Sequence, residues 1–264
     1  VSERTHALGP TPDDHVACAG AGAVGRVVSA PRPVPASVDL SAHVVDVLDQ
    51  GATSTCAAHA VAQALRTLAH SQGVASPTLP SRRYLYRDAL GYAKATRGEA
   101  IRDQGVVLGD LFTAASWAGV VPEPEWPWDA ARVTEEPPFA VLRVGREQRW
   151  SVDGYHRLDT EARAVQLKQA LAAGHPCVFG GDVDEAFEQP DGPALVTSVG
   201  TSLGGHAMLA VGYDEDGVLI CNSWGSSWRD RGYVRMAWRL FLSRAVWEVW
   251  AIDASPPLGE RGFS

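Results

Sequence analysis

"DQGATSTCAAHAVAQAL", residues 49 to 65, decides how the rest of the chain is read. Small residues lead up to Cys56, and an apolar, alanine-rich pattern follows it. Ala57, Val61, Ala64, Leu65 and Leu68 recur at helical spacing, which predicts a largely buried helix over 56 to about 71. Cys56 then stands where the helix begins. A thiol at a helix N-terminus meets unsatisfied backbone N–H groups and the positive end of the helix dipole, and both stabilise a thiolate. A lone cysteine is more often simply packed in a core. The chemical reading therefore needs partners elsewhere.

Two stretches in the second half supply them. "LGGHAMLAVGY" places His206 after two glycines at the start of an apolar strand, and "CNSWGSSWRDRGY" places Asn222 on the next strand, sixteen residues on. The turn "YDEDGVL" joins the two strands, with Asp216-Gly217 as its hairpin signal. An imidazole and a carboxamide on neighbouring strands can face each other. Taken singly, a histidine at a strand start is usually a cap, and an asparagine before Ser-Trp-Gly is usually a turn residue. Taken together with Cys56, and with Gln50 six residues ahead of it, these bland readings lose to a nucleophile with a base and an orienting group.

Composition limits the alternatives. The 264 residues are 45% hydrophobic and 20% charged, as expected for one large globular unit or two lobes sharing a core. The net charge of −8 argues against nucleic acid, whose phosphates need a basic stripe. No apolar run approaches the roughly 20 residues of a membrane-spanning helix. Lys94 and Lys168 are the only lysines, and the wealth of Ala, Val and Arg suggests a GC-rich bacterial genome. The N-terminal "VSERTHALGPTPDDHV" lacks the apolar core of a secretory signal. Cys18, Cys56, Cys177 and Cys221 are widely spaced, unlike a zinc site or a dense disulfide framework. No metal and no cofactor is expected, and the expected setting is reducing and cytoplasmic. Oligomeric state is not legible.

The organisation is a helical first half and a strand-rich second half. Residues 1 to 37 read as an extended Pro-, Gly- and Ala-rich segment, 38 to 140 as a helical lobe, 141 to 255 as a β-rich lobe, and 256 to 264 as a tail. Further helices are predicted near 81 to 96, with Ser81 as N-cap, over 107 to 118, and near 161 to 173. Strands are predicted in "PCVFGGDV", "HAMLAVGYD", "GVLICNSW", "GYVRMAW" and "AVWEVWAID". The fold class is α+β.

At this point the sequence resembles a family, the papain-like cysteine peptidases. The resemblance rests on "DQGATSTCAAHA", "GGHAMLAVGYDEDG" and "NSWGSSWRDRGYVRM", with weaker matches in "LPSRRYLYRDA", "DQGVVLGDL" and "AGVVPEPEWPWD" that are similar to bacterial members. It implies a two-lobe fold, with the nucleophile on the helical lobe and the histidine and asparagine on an antiparallel, barrel-like β lobe. It implies Cys56 as nucleophile, His206 as general base and then acid, and Asn222 as the group orienting the imidazole. Gln50 and the Cys56 backbone N–H would form the oxyanion hole, and Trp224 would cover the His–Asn hydrogen bond. Gly105 resembles a substrate-aligning glycine and Val106 a pocket wall. Gly180, Gly204, Gly205 and Ala207 fall near an apolar pocket, although glycines at strand ends serve turns equally well.

The sequence departs from many family members around the nucleophile. Thr53 replaces a cysteine, so that family disulfide cannot form; Ser54 replaces a glycine; Ala57 replaces a tryptophan, removing bulk on the leaving-group side. No helical inhibitory propeptide is visible before residue 38. The expected activity is hydrolysis of peptide or isopeptide amides through a Cys56 thioester. The alternatives are acyl transfer, in which an amine or thiol intercepts the same thioester in an amide-forming or chain-releasing enzyme, and a binding protein with a silent site. The partner is thus a peptide, or an acyl-thioester or amide substrate.

Overall fold

The computed structural model describes residues 34–261. Cys18, residues 1–33 of the segment expected over 1–37, and the last three residues of the chain lie outside the described residues. Among the described residues the first strand is β1 (Val38–Asp39), followed by α1 (Cys56–Ser71), α2 (Arg82–Arg97) and α3 (Leu108–Ala118). After single-turn helices and loops come β2 (Ser151–Arg157), α4 (Arg163–Ala172), β3 (Cys177–Val183), β4 (Leu195–Val196) and β5 (Gly204–Tyr213). The order ends with β6 (Gly217–Cys221), β7 (Tyr233–Ala237) and β8 (Val246–Ser255). The three long helices α1–α3 fall in the first half and most strands in the second, with β1 ahead of α1 and α4 between β2 and β3, an α+β architecture.

Local signals set the helix ends. Ser81 caps α2 by accepting the Tyr84 N–H at 3.2 Å, and Gly98 closes it in a left-handed conformation at φ 72°. Gly119, at φ 68°, stops α3. The central element is α1, in which every residue except Arg66, His70 and Ser71 is buried. Its alanines bring the backbone close to β5, while Val61, Leu65 and Leu68 fill the space between helices and sheet. Truncating either leucine to alanine would cost about 2–5 kcal/mol by cavity formation.

The sheet runs β2-β8-β3-β5-β6-β7-β4, with β1 paired to β5. All pairings are antiparallel except β4–β7, which is parallel. The link between β5 and β6 differs from expectation. Asp214 turns the chain by accepting the N–H groups of Asp216 and Gly217 at 3.0 and 3.1 Å. Gly217 itself is already a strand residue, and a Cβ there would run into the Met236 carbonyl of β7. Glycine is required there by the neighbouring strand rather than by the turn.

Candidate active site

Cys56 is the first residue of α1, and Thr55 before it makes no side-chain cap to the helix. The Thr55 hydroxyl instead lies 2.6 Å from that of Thr53 and 3.1 Å from His59 Nδ1. The first backbone N–H groups of α1 are thus not taken by a capping side chain. On the opposite face, His206 is the third residue of β5, and Asn222 follows β6. Adjacent antiparallel strands bring the two together, with His206 Nε2 2.7 Å from Asn222 Oδ1. Ser223 N–H donates to the same Oδ1 at 2.8 Å, which marks that atom as the acceptor. Nε2 therefore carries the proton, and Nδ1 of a neutral ring is its basic nitrogen. Trp224 stacks on the imidazole with ring centroids 4.6 Å apart and planes 25° apart, itself 2% exposed. Phe187 and Trp228 both meet Trp224 edge-to-face and pack tilted against each other.

Gln50 links the two sides. Its backbone N–H donates to Ser223 O at 2.9 Å, and Gly225 N–H donates to Leu48 O at 3.0 Å, so residues 48–50 lie antiparallel to 223–225. The Gln50 side chain is fully buried; Nε2 donates to Thr53 O at 2.8 Å and Oε1 accepts the Ser223 hydroxyl at 2.7 Å.

Cys56 and His206 line one cleft with Ala57, Val106, Leu108, Gly180, Gly205, Ala207, Trp247 and Glu248. Of the residues expected to touch substrate, Val106, Gly205 and Ala207 are in this wall. Gly105 is next to it, with φ 88° and its N–H held by the Tyr86 hydroxyl at 3.0 Å. Trp224 is outside the wall and meets the site through His206.

Glu248 was not anticipated. Its side chain is 3% exposed, and Oε2 accepts the Trp250 indole N–H at 2.8 Å. In the β3–β8 register it lies opposite Gly180, where a Cβ would sit 3.6 Å from the Glu248 carboxylate. The pocket expected to be apolar thus has an acid in its wall. The available signal was alternation: in "AVWEVWAID", Glu248 shares a strand face with Trp250 and Ile252.

The electrostatics of the nucleophile also differ from expectation. Burial pushes the Cys56 thiol up from its ordinary value; backbone hydrogen bonds at Ala207, Ala57 and Cys56 itself pull it down, and the Asp103 charge pushes it up again. Loss of hydration outweighs the helix end. A thiolate at this position needs the proton to move to a basic partner in the same cleft, which becomes cationic as it accepts it.

The family model described as papain family cysteine protease matches residues 34–241. The chain belongs to the papain family of cysteine proteases. An uncharacterized peptidase C1-like protein of Acanthamoeba polyphaga mimivirus is 28% identical over 207 residues, covering 73% of this papain-family chain and 64% of its own length. Germination-specific cysteine protease 1 of Arabidopsis thaliana is 34% identical over 112 residues, 41% of this chain and 29% of its own. The chain thus spans less than two thirds of these relatives. Among solved structures, xylellain, a cysteine protease from Xylella fastidiosa, superposes with a TM-score of 0.72 at 24% identity, over 96% of this chain and 98% of its own. Among the described residues, no helix is long and apolar enough to cross a membrane.

Proposed function

We propose that the protein is a cysteine peptidase that hydrolyses peptide or isopeptide amides through a thioester on Cys56. The observation that carries this reading is the 2.7 Å His206–Asn222 hydrogen bond beneath Trp224, with His206 and Cys56 in one cleft. His206 Nδ1 takes the thiol proton, and the Cys56 sulfur attacks the substrate carbonyl. The Cys56 N–H and the Gln50 side-chain amide stabilise the oxyanion, each such donor being worth about 2.7–4 kcal/mol. His206 returns the proton to the leaving amine, leaving an acyl-thioester. Water, deprotonated by the same imidazole, then releases the acid and restores the thiol. Asn222 keeps Nε2 protonated and the ring in plane throughout.

An extended substrate runs along Gly105 and places one side chain against Val106, Gly205 and Ala207. The buried Glu248 carboxylate makes a cationic side chain, arginine or lysine, the best-matched occupant. The free thiols Cys56, Cys177 and Cys221 fit a reducing, cytoplasmic setting.

A second reading, acyl transfer, draws on Ala57, whose small side chain lines the cleft where an acceptor would approach. Partitioning separates the two. The acyl-enzyme is formed from an activated ester, and amines are added at graded concentrations. Hydrolysis persisting as the main fate supports the peptidase. Diversion of nearly all acyl groups by one dilute acceptor, with a thioester long-lived in water, assigns a transferase.

A further inference from the structure

The loop that delivers Cys56 and the segment that carries Gly105 are tied to one acid. Asp103 accepts the Ser54 backbone N–H through both carboxylate oxygens, at 3.0 and 3.2 Å. The same carboxylate accepts the Tyr86 hydroxyl at 2.7 Å. A phenol has one proton to give; Tyr86 gives it to Asp103, and its oxygen accepts the Gly105 N–H at 3.0 Å. A continuous path therefore runs from Gly105 through Tyr86 and Asp103 to Ser54. Ser54 is two residues before Cys56, and Gly105 directly precedes Val106 in the cleft wall.

Each member suits the task. Tyr86 is fully buried on α2, so packing fixes its ring and aims its hydroxyl. Burial first, and then the bond to Asp103, push that hydroxyl well above the usual tyrosine range, so it stays a donor at any working pH. Hydrogen bonds to an ionised carboxylate are roughly twice as strong as neutral ones. Gly105 occupies a backbone conformation that side chains rarely adopt, at φ 88°, and the Tyr86 bond holds it there.

We propose that Tyr86 and Asp103 are positioning residues that hold the nucleophile loop and the Gly105 segment at a fixed spacing, so that a substrate bound along Gly105 meets Cys56 in register. This rests on the peptidase reading for its substrate and on the hydrogen bonds alone for its structure. Substrate placement is steeply felt: an error of about 1 Å costs on the order of 10²-fold in rate.

The test compares an extended peptide amide with a short activated ester that does not reach Gly105, in Tyr86→Phe, Asp103→Ala and Asp103→Asn. Tyr86→Phe frees Gly105 while Asp103 still holds Ser54, so its loss of kcat/KM is expected to be at least about tenfold larger on the peptide than on the ester, with kcat falling as well as KM rising. Asp103→Ala releases both ends and lowers both substrates. Asp103→Asn keeps acceptor oxygen and recovers most of the loss. Amide hydrogen exchange at Ser54 and Gly105 reads the same clasp without any substrate, and is expected to speed up at both in Asp103→Ala and at Gly105 in Tyr86→Phe.

Equal losses on peptide and ester in Tyr86→Phe would overturn the proposal. So would unchanged exchange at both amides in Asp103→Ala, or full peptide activity there. If the wild-type protein cleaves no peptide, the peptidase reading fails while the exchange measurement still decides the clasp.

Discussion

His59 sits one turn into α1, fully buried, and its ring makes the fold sensitive to acid. It meets the Trp128 ring edge-to-face with centroids 4.5 Å apart, and Nδ1 lies 3.0 Å from Thr55 O. Burial, and secondarily the Arg82 charge, lower its pKa from 6.5 to about 3, against the opposing backbone bonds at Thr55 and Asp49. The folded pKa is depressed, so the unfolded chain takes up the proton first as pH falls. The neutral ring's contribution is complete above pH 6.5 and is lost progressively down to about 3. At about 1.4 kcal/mol per pH unit, the full span is about 5 kcal/mol, and about 2 kcal/mol of it is lost by pH 5.

His59→Phe keeps a ring against Trp128 and removes the titration. Both proteins carry Cys56→Ser to prevent self-digestion, and urea unfolding is measured at pH 7.5 and pH 5. Wild-type His59 is expected to lose about 2 kcal/mol more than the phenylalanine variant over that interval. Other titrating groups are common to both proteins and cancel. Equal pH slopes would refute the argument, because the histidine would then be protonated in the fold or solvated.

Glu248→Gln should lower kcat/KM about tenfold for a substrate placing arginine in the cleft, with little change for one placing leucine there; profiling the two peptides side by side checks it, and equal losses would remove Glu248 from specificity. Gly217→Ala should destabilise the fold by about 1–3 kcal/mol, because a Cβ would run into the Met236 carbonyl; an unchanged urea midpoint would contradict the register of β6 on β7. His206→Ala should reduce turnover about 10²–10⁴-fold and Asn222→Ala less, since one moves the proton and the other only aims the ring; initial-rate kinetics on one peptide amide rank them, and the reverse order would reassign the roles.

Much of the helical half was legible because its signals are local. Ser81 caps α2, and apolar spacing from Ala57 onward marks α1. The Cys56, His206, Gln50 and Asn222 spacing was legible as a set because each residue type is chemically selective. What escaped depends on three-dimensional surroundings. Gly217 read as a turn glycine, but its constraint comes from β7, contacted only in the folded sheet. The upward push on the Cys56 thiol comes from burial, whereas the sequence shows only the helix end. Alternation groups Glu248 with Trp250 and Ile252, but only the β3–β8 register sets it opposite Gly180 at the cleft. The parallel β4–β7 pair joins two residues of a loop to a strand about forty residues on, with no pattern long enough to announce it. The Tyr86–Asp103–Ser54 path likewise joins three segments that no local motif connects.

The central claim is that Cys56 forms the acyl-enzyme. The most direct measurement is rapid acid quenching during turnover of a peptide ester, followed by mass mapping of the trapped acyl group. The account predicts the acyl mass on Cys56 and on neither Cys177 nor Cys221, whose thiols burial raises to about 12. The adduct should appear before free acid and decay at the rate the acid is released. Turnover at full rate with no adduct on Cys56, or with the acyl group on another residue, would contradict it.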